Sequence, residues 1–225
     1  MNIYGDHGNM LVLKRRAQWH GFDVRVVEYN PGDTFPETVD IVLGGGGQDS
    51  GQDKIQQDLL SIGPRLRKLA DDGVPMLVIC GLYQLFGTFF KTQDGHVIKG
   101  IGLFDIETVA GPERLIGNIV TKSDDFGDIV GYENHSGQTF LRAGVAPLGT
   151  VIRGAGNNGQ DEFEGARHAN VIGSYLHGSL LPKNPAIADW LIERAAVNRY
   201  GTFTPATPDD RFAKLAREHA IKRPR

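Results

Sequence analysis

The sequence predicts an α/β fold in which a mostly parallel sheet is flanked by helices and extended by antiparallel strands. Through the first half, short β-branched runs alternate with amphipathic stretches, as in repeated strand–helix units. Residues 76–79 form a wholly apolar run, which is typical of a strand buried on both faces. From about residue 100 the chain changes to short β-rich segments separated by glycines, which favours antiparallel pairing.

Local patterns place the elements of the first half and the closing helix. Helical spacing occurs in three stretches: residues 10–20, 52–70 and 185–199. The first helix is expected to bury four residues: Leu11, Leu13, Ala17 and Trp19. Pro64 predicts a break in the second helix. The strand patterns of the first half lie at residues 23–29, 39–43 and 76–79.

The second half is predicted to contain short strands, a loop and a tail. Strand patterns lie at residues 102–109, 114–122, 129–132, 139–141, 150–153 and 169–175. The polar, glycine-rich residues 154–165 predict a mobile loop. Beyond Gly201 the Pro, Thr and Asp residues and the basic end predict weak order. We therefore expect one domain over residues 1–201 and a tail over residues 202–225.

Length and composition restrict the class of protein. With 225 residues, 40% of them hydrophobic, one domain can bury a continuous core. No run approaches roughly 18 apolar residues and no secretory signal is evident, so we expect a cytoplasmic protein without a membrane span. A net charge of −3 gives no basic field for nucleic acid. One cysteine excludes an internal disulfide and a thiolate metal site, and we expect no metal or cofactor in this chain.

Cys80 is the candidate nucleophile. It follows the apolar strand at residues 76–79 and precedes Gly81, where a helix is expected to begin. In open α/β sheets, ligands bind beyond the carboxyl ends of the strands. A helix N-terminus at this position also favours the thiolate form of cysteine. The alternative is a buried structural cysteine, and the position at a strand-to-helix turn favours the nucleophile.

Two histidines are the main candidates for the base that a thiol nucleophile needs. His177 follows the strand pattern at residues 169–175 and is followed by a glycine. If that strand returns to the centre of the sheet, the imidazole lies at the same edge as Cys80. His135, within the Tyr-Glu-Asn-His-Ser-Gly segment, is the rival. Either could be a polar loop residue, and the sequence favours His177.

Glycines supply candidate donors for an oxyanion hole. Residues 44–47 are four glycines between a strand and a helix, so the N–H groups of Gly45 and Gly46 could face a developing oxyanion. The N–H of Gly81 would be the second donor. The run matches neither a Walker loop nor the G-x-G-x-x-G pattern, so nucleotide binding is not indicated. A plain flexible turn is the alternative.

Four segments together resemble class I glutamine amidotransferases of the cobyric acid synthase type. They correspond, in order, to the glycine loop, the nucleophile turn, the Tyr-Glu-x-His-x-Gly segment and the Tyr-Leu-His-Gly segment: residues 43–49, 79–84, 131–139 and 173–178. The Asn-Ile-Tyr-Gly-Asp-x-Gly-Asn segment at residues 2–9 and Arg-Leu-Ile-Gly at residues 114–117 add to the resemblance. It extends to about residue 201 and implies a class I glutamine amidotransferase-like, flavodoxin-like fold.

The resemblance implies a reaction and a partner. Cys80 would be the nucleophile of glutamine hydrolysis and His177 its general base, while Arg114 would bind the substrate α-carboxylate as a paired fork. Without the resemblance, Arg114 is equally a solvated surface arginine. Within the family the sequence is most similar to subunits that pass ammonia to an ATP-dependent, Mur-ligase-type partner, MurT. That partner would hold ATP and metal, and the heterodimer would convert D-glutamate in lipid II to D-isoglutamine.

One position departs from the wider class. Most class I amidotransferases have a Glu two residues after the histidine, and here that position is Ser179. Such a carboxylate orients the imidazole and stabilises its charge. The chain therefore works as a Cys–His dyad or takes its third group from Glu133 or another acid. Glu133 and His135 are the candidate supporting residues.

Three other functions fit the same residues. A catalytically silent binding subunit is the first, and intact Cys80 and His177 argue against it. A free-standing amidase is the second, and it would hydrolyse other amides without a partner. The third is an amidotransferase of another pathway, such as cobyric acid synthesis. The Asn-His-Ser segment at residues 134–136 and the lack of a fused ATP-binding domain favour the ligase-associated subunit.

Overall fold

The chain forms two β-sheets with associated helices in the computed structural model, which describes residues 6–47, 49–177 and 179–224. The helices are α1 (His7–Trp19), α2 (Asp49–Asp71), α3 (Gly81–Phe86), α4 (Leu180–Lys183), α5 (Pro185–Tyr200) and α6 (Arg211–Lys222). The strands are β1 (Val42–Gly44), β2 (Met76–Ile79), β3 (Phe89–Lys91), β4 (Val97–Lys99), β5 (Ile106–Ser123), β6 (Gly127–Leu141), β7 (Gly149–Arg153), β8 (Phe163–Glu164), β9 (Ala166–His168) and β10 (Val171–Ser174). Of the segment at residues 2–9 that adds to the resemblance, residues 2–5 lie outside the described residues.

The first sheet has the strand order β1-β2-β10-β9, and β1, β2 and β10 run parallel. Every residue of β2 and β10 is buried, so both faces of this sheet are covered. Ile79 at the end of β2 pairs with Ser174 at the end of β10. The segments that follow these two strands therefore start side by side. One begins with Cys80, and the other leads from Ser174 to His177.

The second sheet is antiparallel for the most part and has the order β4-β3-β5-β7-β8, with β6 paired to β5. Strands β5 and β6 form one long hairpin, in which the sequence predicts several short strands. The predicted α/β class is confirmed. The antiparallel strands, however, form a sheet of their own, which meets the parallel sheet at the bridges Tyr132–His177 and Ala146–Arg167.

The strand predicted at residues 23–29 is absent. Among the residues that the structure describes, residues 23–29 pair with no strand, and Val26 and Val27 are exposed. The segment is held to α2 by side-chain bonds instead: the Tyr29 hydroxyl donates to the Asp58 carboxylate at 2.9 Å. Alternating valines here mark an extended surface segment, because alternation gives a segment two faces but does not supply a partner strand.

Helix α1 buries part of the predicted face. Leu13 and Ala17 are buried as expected, whereas Leu11 and Trp19 are 54% and 43% exposed. Arg16 is buried as well, and its guanidinium makes a bidentate pair with Asp189 of α5 at 2.6 Å. A charge with two good partners can replace an apolar contact in the interface between helices.

Helix α2 continues through Pro64, where the sequence predicts a break. The proline ring removes one helical N–H, and the carbonyl that loses its partner belongs to Leu60. Leu60 lies on the exposed side of the helix, which limits the cost. Packing of the buried side, including Leu59 and Leu66, maintains the helix across the proline.

Residues 154–165 are held in place, although their composition predicts a mobile loop. The two carboxylate oxygens of Glu133 accept hydrogen bonds from the N–H groups of Ala155 and Gly156, each at 2.8 Å. Asn158 donates to the Thr139 carbonyl at 2.9 Å and accepts from Gln160 N–H at 2.9 Å. Glu133, a buried acid on β6, thus accepts hydrogen bonds from backbone N–H groups that the composition of the loop predicts to be exposed to solvent.

The chain beyond residue 201 contains helix α6, where the sequence predicts weak order. Arg16 of α1 bonds Asp210 just before this helix. At its other end, Arg153 donates to the Ile221 carbonyl at 2.7 Å and Asn118 to the Pro224 carbonyl at 2.6 Å. These anchors lie on distant elements, so composition within the tail gives no sign of them.

Candidate active site

Cys80 occupies a strained turn between β2 and α3. Its φ of 51° and ψ of −109° lie in a region that residues with a Cβ rarely adopt. Its N–H donates to the Ser174 carbonyl at 2.8 Å, and its carbonyl accepts from Gln84 N–H at 2.9 Å. Strain of about 1–3 kcal/mol is typical of such conformations and is concentrated at functional sites. A sharp strand-to-helix turn is one way in which a fold presents a nucleophile at a sheet edge.

His177 lies on the segment that continues β10. Its N–H donates to the Tyr132 carbonyl at 2.7 Å and its carbonyl accepts from Tyr132 N–H at 3.3 Å, so β6 fixes its backbone. The side chain is fully buried. Its Nδ1 faces Asp6 Oδ1 at 3.1 Å. A carboxylate there favours the tautomer with the proton on Nδ1, which makes Nε2 the basic nitrogen.

Asp6 is the carboxylate that the sequence left unidentified. It is buried just before α1, and its Oδ2 accepts a hydrogen bond from Gly46 N–H at 2.7 Å while Oδ1 faces His177. Position 6 falls within the segment at residues 2–9 that contributes to the resemblance, and this was the one signal that could have found it. Asp6 is therefore the candidate for the third group, in place of the Glu that Ser179 replaces.

The predicted oxyanion donors separate into two groups. The N–H of Gly46 is directed to Asp6 and so is not presented to an oxyanion in this structure. Gly81 begins α3, where the first N–H groups have no acceptor within the helix. A Cβ on Gly44 would meet Leu82 at 2.4 Å, so the glycine loop packs closely on the start of α3. Gly45 and Gly81 remain the candidate donors.

His135 is a buried, neutral imidazole. Burial, with smaller contributions from the nearby His177 and Arg114, lowers its pKa to about 3, although hydrogen bonds to the backbone of Gly137 and Gly156 oppose the shift. Its Nδ1 donates to the Gly137 carbonyl at 2.7 Å, and its ring stacks on Tyr175 at 3.6 Å between centroids. A general base works best with a pKa near the working pH, and the lowered pKa of His135 counts against it in that role.

Arg114 and Glu133 lie on the two arms of the long hairpin. Arg114 is exposed, and its Nε donates to Asn134 Oδ1 at 2.6 Å. Its charge acts on His135, which places it on the same side of the structure as the buried histidines. Glu133 holds the loop at residues 154–165 through Ala155 and Gly156, as described above. The carboxylate in contact with His177 Nδ1 is that of Asp6.

The part of the chain that the structure describes comprises residues 6–47, 49–177 and 179–224. Within them, no group of three or more His, Cys, Asp and Glu side chains could hold a metal ion. No helix in the same ranges combines the length and apolar character needed to cross a membrane.

Comparison with known proteins gives a consistent result. Residues 1–185 match the model of the CobB/CobQ-like glutamine amidotransferase domain. The chain is 41% identical to "Lipid II isoglutaminyl synthase (glutamine-hydrolyzing) subunit GatD" of Staphylococcus aureus (strain N315), with 99% of this chain and 91% of the relative covered. The protein of the same name from Streptococcus pneumoniae (strain ATCC BAA-255 / R6) is 38% identical, with 98% and 86% covered.

Structural comparison supports the same fold. A solved structure described as "Crystal structure of glutamine amidotransferase" superposes with a TM-score of 0.61 at 16% sequence identity. The match covers 87% of this chain and 96% of that chain. At this identity the likeness concerns the fold alone.

Proposed function

The chain belongs to the family of CobB/CobQ-like glutamine amidotransferases, and on that premise we propose that it hydrolyses glutamine through Cys80 and His177. One observation carries the residue assignment. The strained turn at Cys80 is bonded to Ser174, and the segment leaving Ser174 leads to His177, which a buried carboxylate orients. Nucleophile, base and orienting acid thus come from three separate parts of the chain to one sheet edge.

The reaction follows from these roles. His177 Nε2 takes the thiol proton as Cys80 Sγ attacks the side-chain amide carbon of glutamine. The tetrahedral intermediate collapses when the C–N bond breaks, and the imidazolium returns the proton to the departing ammonia. Water, deprotonated by His177, then attacks the thioester and releases glutamate, and Sγ regains its proton. Asp6 stabilises the imidazolium in both halves of the reaction.

Substrate contacts complete the proposal. The N–H groups of Gly45 and Gly81 are the candidate oxyanion donors, since each acts without an intervening side chain. Arg114 is the candidate partner for the substrate α-carboxylate, because a guanidinium can bind it through two parallel hydrogen bonds. Asn134, which accepts a hydrogen bond from Arg114 Nε, is a neutral partner that a charged ligand can displace.

We expect Asp6→Asn to lower kcat for glutamine hydrolysis about 10²-fold, with little change in KM. The Asn side chain can still accept the Gly46 N–H, but it cannot stabilise a charged imidazole. Steady-state kinetics measures the effect. Asp53→Asn is the matched control, because Asp53 faces His96 at 3.1 Å with both side chains about half exposed. Equal kcat for Asp6→Asn and wild type would exclude Asp6 from catalysis.

We further propose that the ammonia is transferred to a second subunit. Two relatives covered over most of their length are named as subunits of lipid II isoglutaminyl synthase. By this proposal a MurT-like ligase of the Mur type binds ATP and its metal and activates D-glutamate of lipid II. The present chain supplies ammonia to it in the cytoplasm. Direct contact protects ammonia from protonation and loss to solvent.

Reconstitution with amide-labelled glutamine tests the pairing. The chain and a Mur-ligase-type protein from the same cell should form a heterodimer and transfer ¹⁵N from the glutamine amide to lipid II. Complex mass and the mass of the amidated stem peptide are the measurements. A complex containing Cys80→Ala should amidate lipid II when ammonium chloride is supplied, but not with glutamine. A chain that stays monomeric and supports no glutamine-dependent amidation would disprove the pairing and leave the hydrolysis at Cys80 standing.

A further inference from the structure

Glu164 is a buried carboxyl group in addition to Asp6 and Glu133. Glu164 ends β8 in the antiparallel sheet and is fully buried. Its side chain reaches the end of β10 in the parallel sheet. There Oε1 accepts hydrogen bonds from Tyr175 N–H at 2.8 Å and from Ser174 Oγ at 3.0 Å. Glu164 thus connects the two sheets at the strand end that leads to His177.

The segment held by Glu164 contacts both sides of the site. The Ser174 carbonyl accepts the N–H of Cys80, and Ser174 Oγ accepts the N–H of Leu176 at 3.0 Å. The chain leaves the strand after Ser174 and reaches His177 three residues later. Tyr175 lies beyond the last ladder pair of β10, so Glu164 provides the acceptor that its N–H would otherwise lack.

Glu164 is fixed from its other side as well. Gly165 has a φ of 65°, and a Cβ there would meet the Gly173 carbonyl at 2.5 Å, so the chain can approach β10 this closely only with glycine. The Asn157 side chain donates to the Gly165 carbonyl at 2.9 Å and accepts its N–H at 2.8 Å. Tyr83 of α3 donates to Asn157 at 3.3 Å. These contacts fix the backbone next to Glu164 and so hold its carboxyl group in place.

We propose that Glu164 is a positioning residue that sets the relative placement of Cys80 and His177 by holding the segment between Ser174 and Leu176. The inference rests on the proposed function, since it concerns the geometry of that nucleophile and base. A displacement of about 1 Å between reacting groups can cost about 10²-fold in rate. Glu164 touches no reacting atom and acts through the backbone of the segment it holds.

The ionisation of Glu164 gives this role a signature in pH. Burial raises its pKa to about 8; two hydrogen bonds oppose the shift and the Glu133 charge adds to it. Tyr83 and Tyr175 face the same region, and burial raises the pKa of each above its usual value, so both are neutral. Near pH 7 the carboxyl is mainly protonated. As pH rises through about 8 it becomes a buried anion, and we expect the segment to lose its placement.

Two substitutions separate the acceptor from the charge. Glu164→Gln keeps an acceptor for Tyr175 and Ser174 without ionising, whereas Glu164→Ala removes the acceptor. We expect Glu164→Ala to lower kcat for glutamine about 30-fold with KM within about twofold of wild type, and Glu164→Gln to stay within about threefold at pH 7. Wild type should lose kcat above about pH 8 through this group, and Glu164→Gln should lack that loss.

Alkylation of Cys80 by iodoacetamide provides a readout that does not need glutamine turnover. Glu164→Ala should lower its rate about tenfold, because a misplaced His177 supports the thiolate less well. The exposed neighbour Glu162→Gln is the control and should match wild type. Wild-type kcat and alkylation rate in Glu164→Ala would overturn the proposal. If that variant does not fold, superimposed pH profiles of Glu164→Gln and wild type would overturn it. If wild type hydrolyses no glutamine but Glu164→Ala still slows the alkylation of Cys80, the proposed function is contradicted and the positioning role of Glu164 stands.

Discussion

Cys80→Ala is expected to lower kcat for glutamine hydrolysis by at least about 10⁴-fold, the largest effect of any single change in the chain. The thiolate forms the thioester, and no other cysteine is present to replace it. The fold should persist, since the Cys80 backbone bonds to Ser174 and Gln84 do not involve the side chain. Ammonia release measures activity, and circular dichroism and thermal unfolding report on the fold.

Two further experiments sharpen the test of Cys80. A diazo-oxo-norleucine probe should add its mass to the peptide that contains Cys80 and to no other. Cys80→Gly should be as inactive as Cys80→Ala but more stable, because glycine relieves about 1 kcal/mol or more of strain at a φ of 51°. Ammonia release by Cys80→Ala at the wild-type rate would end the proposal.

His177→Ala is expected to lower kcat about 10³-fold, as loss of a general acid–base group typically does. The matched comparison is His135, a second buried histidine a short distance away. Its pKa near 3 leaves it neutral, and its Nδ1 is already bonded to the Gly137 carbonyl. His135→Asn can keep a donor to that carbonyl, so this variant should retain most of the activity. Both variants are compared per folded molecule. A larger loss in His135→Asn than in His177→Ala would assign the base to His135.

The sequence predicts those parts of the site that depend on one strand and its next turn. An apolar run from Met76 to Ile79 is unambiguous because both sheet faces bury it, and the position of Cys80 follows directly. The place of His177 needed one further assumption, the return of a late strand to the centre, and β10 beside β2 confirms that return. Short, wholly buried strands are therefore the most informative part of this sequence.

Features that depend on distant partners were not predictable in this way. Asp6 meets a histidine 171 positions later, so no local pattern indicates the contact. The loop at residues 154–165 has the composition of a mobile segment, yet one buried acid, Glu133, satisfies its backbone. The strand predicted from alternation at residues 23–29 was wrong for the converse reason. Alternation indicates two faces but does not supply a neighbouring strand.

The contact between Asp6 and His177 has a consequence for how the enzyme comes into being on the ribosome. The acid is synthesised at the start of the chain, the thiol 74 residues later and the base 171 residues after the acid. Arg16 and Asp210 close a still longer loop of 194 positions. Contacts of such separation form late, since loop closure must precede the stabilisation they bring. By the proposed assignment, a nascent chain therefore exposes the thiol of Cys80 well before His177, the proposed base, can take its place beside it.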